Sequence, residues 1–309
     1  MKEDQQCAEY VKAMQVWLRK QPHLPQNIGK INFLIVSHSI ASFAFADESV
    51  LARFIQCSEM SLEKCKSLLD LNYTLRSQAP EIFDKRDPED RAIQNMFDII
   101  DFCPLPKLTD KKYKLFIYRL TDSDVEKFLF ADSLKAFFMV ADMRMYSDRE
   151  YSEGEIPIFD MGHLTLRHMT KITLPLLKKY MVFTQEAHPV RLRQIHVLNI
   201  VPFFDKCLAL VKPFMKAEVS QLLHFHLPNS TTLFDHIPRD LIPEEFGGSL
   251  PVTMKSLKEE WRQRVCENRD FYMDPSKWKV DERLRPQSNK NGDGNLFGMQ
   301  GSFRVLTID

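Results

Sequence analysis

Two histidines stand two residues apart in the segment 222–227. In a β-strand, His224 and His226 point to the same face, and zinc sites use imidazoles at this spacing. A zinc site needs further ligands, and the sequence indicates no third one, so a packed pair in a core or interface is the simpler interpretation. A hydrolase that uses both histidines and an unidentified acidic ligand is kept as one functional hypothesis.

Other reactive groups give little support for chemistry. Cys207 lies in an apolar segment without a neighbouring histidine in sequence, so we do not expect a nucleophile there. Residues 289–294 (N-K-N-G-D-G) imitate the start of a calcium loop, but position twelve is Gln300 instead of Glu. The sequence has no Walker loop, no G-x-S-x-G and no Rossmann fingerprint. We therefore expect no bound metal, no cofactor and no enzymatic activity.

Three basic residues are placed to bind an anionic group. Arg191 and Arg193 lie at the start of a predicted strand, and Lys212 lies on the helix that follows. Arginine grips phosphate through a planar fork, so these residues predict an anionic-lipid patch. A solvated charged rim is the alternative.

The segment 190–216 contains the elements that position these side chains. Apolar and polar residues alternate from Arg191 and then give way to a nearly all-apolar run, which predicts a strand over Arg191 to Ile200. Pro202 ends that strand and opens a helix. A helix so apolar must be covered by protein or by a ligand. Its apolar residues recur three or four apart: Phe203, Phe204, Cys207, Leu208, Val211 and Phe214.

The remaining chain divides into a helical part and an α/β part. Amphipathic spacing predicts helices over 8–20, 48–57 and 61–76, with Ser61 as a helix cap. Strands are predicted over 114–120, 155–161 and 222–227, and helices over 124–148, 166–184 and 255–268. This alternation favours a largely parallel sheet covered by helices. We place a helical domain at 1–88, an α/β domain at 89–285 and a mobile tail at 286–309.

Composition limits the classes of partner. The chain has 309 residues and 44% hydrophobic content, which is ample for a large core. Forty-two Lys and Arg balance 42 Asp and Glu, so no basic field argues for a nucleic-acid partner. Six scattered cysteines and the absence of a signal peptide favour reduced thiols in the cytoplasm. The apolar run at 31–46 is shorter than the ~20 residues of a membrane helix.

Several short motifs stand in the order and near the spacing of one known family. They are residues 189–196 (P-V-R-L-R-Q-I-H), Asn199, 211–214 (V-K-P-F), 223–226 (L-H-F-H), 237–238 (I-P) and 242–248 (I-P-E-E-F-G-G). On these motifs the chain resembles the CRAL-TRIO lipid-carrier family, particularly insect members of its alpha-tocopherol transfer and cellular retinaldehyde-binding branch. Residues 155–160 also match the family's Gly-x-x-x-Ile-Phe-Asp strand, and residues 62–80 resemble its N-terminal helical module.

The resemblance implies an N-terminal helical bundle followed by an α/β domain with a mostly parallel sheet floor. A hydrophobic cavity would hold one molecule and be closed by a gate over 203–219, with Phe203, Phe204, Leu208 and Val211 facing inward. A permanently packed helix is the alternative for the gate, and ordinary core packing is the alternative for the lining. Polar anchors would be Tyr118, Tyr180, Thr184 and Ser133. The lining candidates are Tyr118, Leu134, Phe137, Ala141, Phe159, Leu166, Tyr180, Phe183, Val190, Ile195 and Val197.

The chain departs from the family at two places. Members that bind phosphoinositide headgroups carry basic residues where this chain has Ser58, Glu218 and Leu222, so this activity is less favoured than lipid carriage. Residues 30–46 are an apparent insertion, either an extra helix or a translated intron.

The resemblance implies a non-enzymatic, monomeric, cytoplasmic carrier of a tocopherol, retinoid or carotenoid that is exchanged at peripheral membrane surfaces. A phosphoinositide-responsive lipid sensor that acts through a protein partner is the alternative.

Overall fold

The structure, a computed structural model, describes residues 2–26, 28, 46–148, 150–286 and 297. Nearly all of the apparent insertion and most of the tail, including the calcium-like motif, lie outside these residues. None of the helices in the described ranges is both long and apolar enough to cross a membrane.

Five helices form the N-terminal part. They are α1 (Lys2–Leu18), α2 (Ala46–Cys57), α3 (Leu62–Gln78), α4 (Pro80–Phe83) and α5 (Arg91–Ile99). Ser61 caps α3 as predicted, since its hydroxyl accepts a hydrogen bond from the Lys64 amide at 3.4 Å. The short α4 and α5 were not predicted, because Pro80, Pro88 and the charges between them indicated a loop.

A five-stranded sheet lies at the centre of the α/β part. The strands are β1 (Ile100–Leu108), β2 (Tyr113–Leu120), β3 (Gly154–Asp160), β4 (Ile195–Leu198) and β5 (Leu223–Phe225). They stand in the order β1-β2-β3-β4-β5, and only the β1–β2 pair is antiparallel among these strands. The predicted, mostly parallel sheet is therefore confirmed.

Helices connect the parallel strands. The β2–β3 connection carries α6 (Phe130–Ser147), and the β3–β4 connection carries α7 (Leu166–Met169) and α8 (Leu174–Val182), which ends in a π-helical turn, Phe183–Ala187. The β4–β5 connection contains α9 (Phe204–Val211), a 3₁₀ turn (Lys212–Phe214) and α10 (Ala217–Ser220). After β5 come three 3₁₀ turns, over 232–235, 239–241 and 244–246. They are followed by the helices α11 (Met254–Glu267) and α12 (Arg269–Met273) and by two further 3₁₀ turns, over 275–277 and 282–284.

Four predicted elements differ in extent. The helix predicted over 124–148 begins only at Phe130, and the one predicted over 166–184 is split in two before Leu174. The strand predicted over 191–200 is regular only from Ile195 to Leu198. The helix predicted beyond Phe203 is broken at Pro213, because proline has no amide hydrogen to continue the helical ladder.

Two apolar clusters cover the two sheet faces. The larger joins the N-terminal helices, α6 and one face of β1 and β2, and the smaller packs the opposite face against α11 and the 3₁₀ turns. A buried ion group connects the N-terminal part to α6: the Asp142 carboxylate accepts hydrogen bonds from Arg76 at 2.5 and 2.9 Å and from Arg86 at 2.6 Å. The helical part and the sheet thus share one core.

Candidate functional site

A row of side chains crosses one face of the sheet. Strand register pairs Phe102 with Tyr118, Tyr118 with Phe159, Phe159 with Val197 and Val197 with Phe225. Because residues paired in register point to the same face, these five form a continuous apolar floor. The floor is buried at Phe102 and reaches 43% exposure at Phe225, on the edge strand.

Aromatic rings from the helices stand over the buried end of this floor. Tyr118 stacks on Phe159 with ring centroids 4.8 Å apart and lies 5.3 Å from Phe137 on α6. Phe137 in turn meets Tyr180 of α8 edge-on at 5.6 Å. The structure therefore brings together four of the predicted lining residues, which come from two strands and two helices.

Two of the predicted polar anchors are tyrosines in desolvated surroundings. Both side chains keep part of their surface accessible, yet burial raises the pKa of the Tyr180 hydroxyl to about 12 and that of Tyr118 well above its ordinary value. The other two predicted polar anchors are already satisfied, because Ser133 donates to the Phe130 carbonyl at 2.7 Å and Thr184 to that of Tyr180 at 2.9 Å.

The other lining candidates differ in how far they are buried. Leu134, Phe137, Ile195 and Val197 are buried with a small residual exposure, and Val190 is half-buried.

Phe183 and Ala141 are more enclosed than these residues, and Leu166 is more exposed. Phe183 is completely buried and packs 4.8 Å from Phe83 and 5.0 Å from Phe138, because the π-helical turn directs it into the core shared with the N-terminal helices. Ala141 is equally enclosed in α6. Leu166 is 46% exposed on the short α7.

Helix α9 covers the open end of the floor loosely. None of its eight residues is buried, although Phe204, Leu208 and Val211 are all half-buried on its apolar side. The Phe204 ring lies 4.8 Å from Phe225 on the floor, and the Cys207 sulfur lies 3.5 Å from that of Met169 on α7. A helix that is apolar yet packs without buried residues can be displaced at low cost.

The far end of this connection is held by one amide side chain. Gln185 on the π-helical turn donates to the carbonyls of Met181 and Phe214, each at 2.8 Å, and accepts from the Lys216 amide at 2.8 Å. The neighbouring Glu186 pairs with the Lys216 ammonium at 2.6 Å. The role of Gln185 was not predicted from the sequence, because Phe214 and Lys216 lie about 30 residues further along the chain and no local pattern indicates these contacts.

The predicted basic residues are mostly engaged within the protein. Arg191 pairs with Glu59 at 3.1 Å, and Arg193 donates to the Glu153 carbonyl at 2.9 Å while it covers the Tyr113 ring. A hydrogen bond from Lys64 and the charges of Lys64, Arg191 and Arg193 lower the pKa of Glu59, so this carboxylate is ionised beside the arginines. Lys212 is exposed and forms no ion pair with another described residue.

The histidine pair belongs to a larger cluster. His196 of β4 lies 5.0 Å from His224, 5.2 Å from His226 and 5.2 Å from His236, measured between ring centroids. The His196 Nδ1 and His226 Nε2 atoms are 2.9 Å apart, so they hydrogen-bond to each other instead of converging on one point. Within the ranges that the structure describes, no three His, Cys, Asp or Glu side chains could hold a metal ion. The hydrolase hypothesis gains no support.

Two segments of the chain match known protein families. Residues 101–248 match the family described as "CRAL/TRIO domain", and residues 44–93 match "Pinta-like, UBA domain". The chain is 22% identical to Clavesin-2 of Homo sapiens over 275 residues, which cover 86% of this chain and 83% of that protein. It is 21% identical to "Alpha-tocopherol transfer protein-like" of Homo sapiens over 203 residues, 66% of this chain and 59% of that one.

A similar fold occurs among solved structures. The crystal structure of Sfh5 superposes with a TM-score of 0.50 over 87% of this chain and 97% of that one, at 12% sequence identity. At this identity the match concerns the fold alone.

Proposed function

Since residues 101–248 match the CRAL/TRIO domain family, we propose that the chain carries one small hydrophobic molecule and exchanges it at membranes. The observation that carries this proposal is the apolar floor from Phe102 to Phe225, whose open end at Phe225 lies beneath a helix with no buried residue. Such a helix covers an apolar ligand when closed and inserts its Phe203 and Phe204 side into lipid when open. The carrier acts as a monomer in the cytoplasm and has no enzymatic activity.

The ligand is mostly hydrocarbon and carries one hydroxyl or carbonyl group. Apolar and aromatic side chains dominate the floor and its cover, while Tyr118 and Tyr180 offer two hydroxyls whose burial disfavours ionisation. These hydroxyls donate to a carbonyl or hydroxyl oxygen of the bound molecule. A tocopherol or retinoid fits this description better than a pure hydrocarbon carotenoid.

Ligand identification tests the carrier function directly. Organic extraction of the purified protein followed by mass spectrometry is expected to reveal one bound hydrophobic molecule, and delipidated protein is expected to take up tocopherol or retinol. A protein that contains no lipid and takes up none of these probes would contradict carriage.

A pair of tyrosine variants tests the ligand class. Tyr180→Phe and Tyr118→Phe are each expected to weaken binding of tocopherol about five- to tenfold, the equivalent of one lost hydrogen bond, while binding of β-carotene stays unchanged. Affinity is measured by fluorescence titration of delipidated protein. Equal affinity of wild type and both variants for tocopherol would exclude these hydroxyls as the anchor.

The alternative function is a phosphoinositide-responsive lipid sensor that acts through a protein partner. It is supported by a concave site between α2 and the start of β3 and β4 that Arg53, Arg144 and Arg191 line. Two observations weigh against it. Glu59 already neutralises Arg191, and the Arg53 guanidinium donates to the carbonyls of Met145 and Asp148.

A further inference from the structure

Four histidines from two neighbouring strands and the segment that follows them meet on the sheet face opposite the apolar floor. His196 lies on β4, His224 and His226 lie on and directly after β5, and His236 follows the 3₁₀ turn at 232–235. His196 and His224 are register partners across the two strands, and the ring centroids of His224 and His236 are 4.4 Å apart. The carrier function does not use this cluster.

The hydrogen bonds of the cluster exclude simultaneous protonation of His196 and His226. The Gln194 Oε1 atom accepts from His196 Nε2 at 3.3 Å, which leaves His196 Nδ1 to accept from His226 Nε2 at 2.9 Å. His226 Nδ1 then accepts from the Thr232 hydroxyl at 2.7 Å. If both rings were protonated, two N–H groups would face each other between His196 and His226.

Few charges near the cluster favour protonation. Burial, together with the charges of the other three histidines, lowers the pKa of His196 to about 3. Burial and the neighbouring histidines also lower the pKa of His224 and of His226, and only Asp235 acts in the opposite direction, on His226. Among the described residues, no carboxylate forms an ion pair with any of the four rings; the facing polar groups are Gln194, Thr232 and Ser230.

The cluster is joined to the gate by short covalent and packing links. The whole connection between β4 and β5 is the segment that holds α9, and β5 is a three-residue edge strand. Phe225, between His224 and His226 in sequence, points to the opposite face and contacts Phe204 of α9. A displacement of β5 therefore removes the surface on which α9 rests.

We propose that the cluster of His196, His224, His226 and His236 is an acid-sensitive latch that holds β5, and with it the gate, in place only while the rings are neutral. In the closed form His196, His224 and His226 resist protonation, whereas in the open form these three titrate as exposed histidines do. The closed form is therefore fully stabilised above about pH 6.5, and this stabilisation is lost as the pH falls below that value. Release of His196 from the cluster favours opening roughly tenfold between about pH 7.5 and about pH 5.5.

The consequence for ligand release rests on the proposed carrier function, but the latch can be tested without any ligand. Hydrogen–deuterium exchange of the full chain at the two pH values, corrected for intrinsic exchange and with EDTA present, reports the opening of each segment. Peptides covering 203–227 are expected to lose roughly tenfold or more protection at the lower pH, while peptides of β2 and β3 change little.

Variants separate the latch from a general acid effect. His196→Gln and His226→Gln are expected to flatten the pH step in peptides 203–227, and His236→Gln, at an exposed position, is expected to reduce it without altering the fold. His163→Gln is the matched control, because His163 is exposed and lies outside the cluster. This variant is expected to retain the full change in protection of peptides 203–227 between the two pH values. Circular dichroism verifies that each variant is folded.

Two results would overturn the latch. One is equal protection of peptides 203–227 at both pH values in the wild type. The other is a full pH step in folded His226→Gln and His236→Gln. Failure to find a bound lipid would contradict carriage and leave both results unaffected.

Discussion

At the scale of single residues, one buried carboxylate joins the N-terminal helices to the sheet domain. The Asp142 carboxylate on α6 accepts hydrogen bonds from Arg76 of α3 and from Arg86 of the loop after α4, and all three side chains are buried. Desolvation raises the pKa of Asp142, but the charges and hydrogen bonds of the two arginines outweigh it and hold the value at about 2. Removing this carboxylate leaves two guanidinium groups buried without a counterion.

Asp142→Asn is expected to destabilise the chain by about 3–5 kcal/mol in urea unfolding. Asp132→Asn, on the same helix, removes only a half-buried pair with Lys135 and is expected to cost less than about 1 kcal/mol. The folded pKa lies below the ordinary 3.8, so the stabilisation is fully present above about pH 4 and is lost as the pH falls through about 2. Equal stability of the two variants at neutral pH would contradict this role.

At the scale of elements, the amphipathic α9 determines access to the floor. Phe203→Asp together with Phe204→Asp is expected to reduce binding to phosphatidylcholine vesicles severalfold, because two charges replace the apolar side that enters lipid. The fold is retained, since neither phenylalanine is buried. Vesicle sedimentation measures binding, and circular dichroism measures folding. The matched control is Ala209→Asp, an exposed position on the same helix, which is expected to bind as the wild type does.

Gln185 controls the other end of the same connection. Gln185→Ala removes the two bonds to Phe214 and Lys216, so the segment 212–216 is released and ligand transfer to vesicles is expected to accelerate about five- to thirtyfold. Glu186→Gln weakens only the partly exposed ion pair with Lys216 and is expected to change the rate less than about threefold. Transfer is followed with a fluorescent tocopherol. An unchanged rate in Gln185→Ala would show that opening does not involve this end.

At the scale of the whole molecule, the balanced charge predicts that the rate of ligand transfer depends weakly on the charge of the lipid. The chain has 42 basic and 42 acidic residues, and the two arginines predicted to bind an anionic lipid, Arg191 and Arg193, are engaged with Glu59 and with the Glu153 carbonyl. Transfer to vesicles with one fifth phosphatidylserine is therefore expected to differ less than about threefold from transfer to neutral vesicles. A much larger acceleration that disappears at high salt would favour the sensor function instead.

The parts of the fold that were predictable are those with a local signal. Alternation and the stop at Pro202 located β4 and α9, and Ser61 located the start of α3. Strand β1 was missed because Pro104 and Pro106 indicate a loop, although a strand at the edge of a sheet tolerates proline where no ladder bond is needed.

The residues along the floor come from different strands, so no local pattern in the sequence groups them. Tyr118 and Phe159 lie on adjacent strands and are both candidates that the resemblance implies, whereas Phe225 joins them only through strand register. The π-helical turn that buries Phe183 and the 3₁₀ turn that brings His236 to His196 are set by tertiary packing. No spacing rule in the sequence encodes either turn.

The two ends of the floor differ in exposure, which gives the proposed cargo movement a direction. Phe102, beside Tyr118, is buried, and Phe225 is exposed at the rim beside α9, so an elongated molecule anchored by its oxygen at Tyr118 would have its hydrocarbon tail at the rim. The tail then meets the acceptor bilayer first, and the polar end crosses last, after hydrocarbon already shields it from water. Unloading is therefore tail-first, and the step that limits it is the parting of the oxygen from its tyrosines.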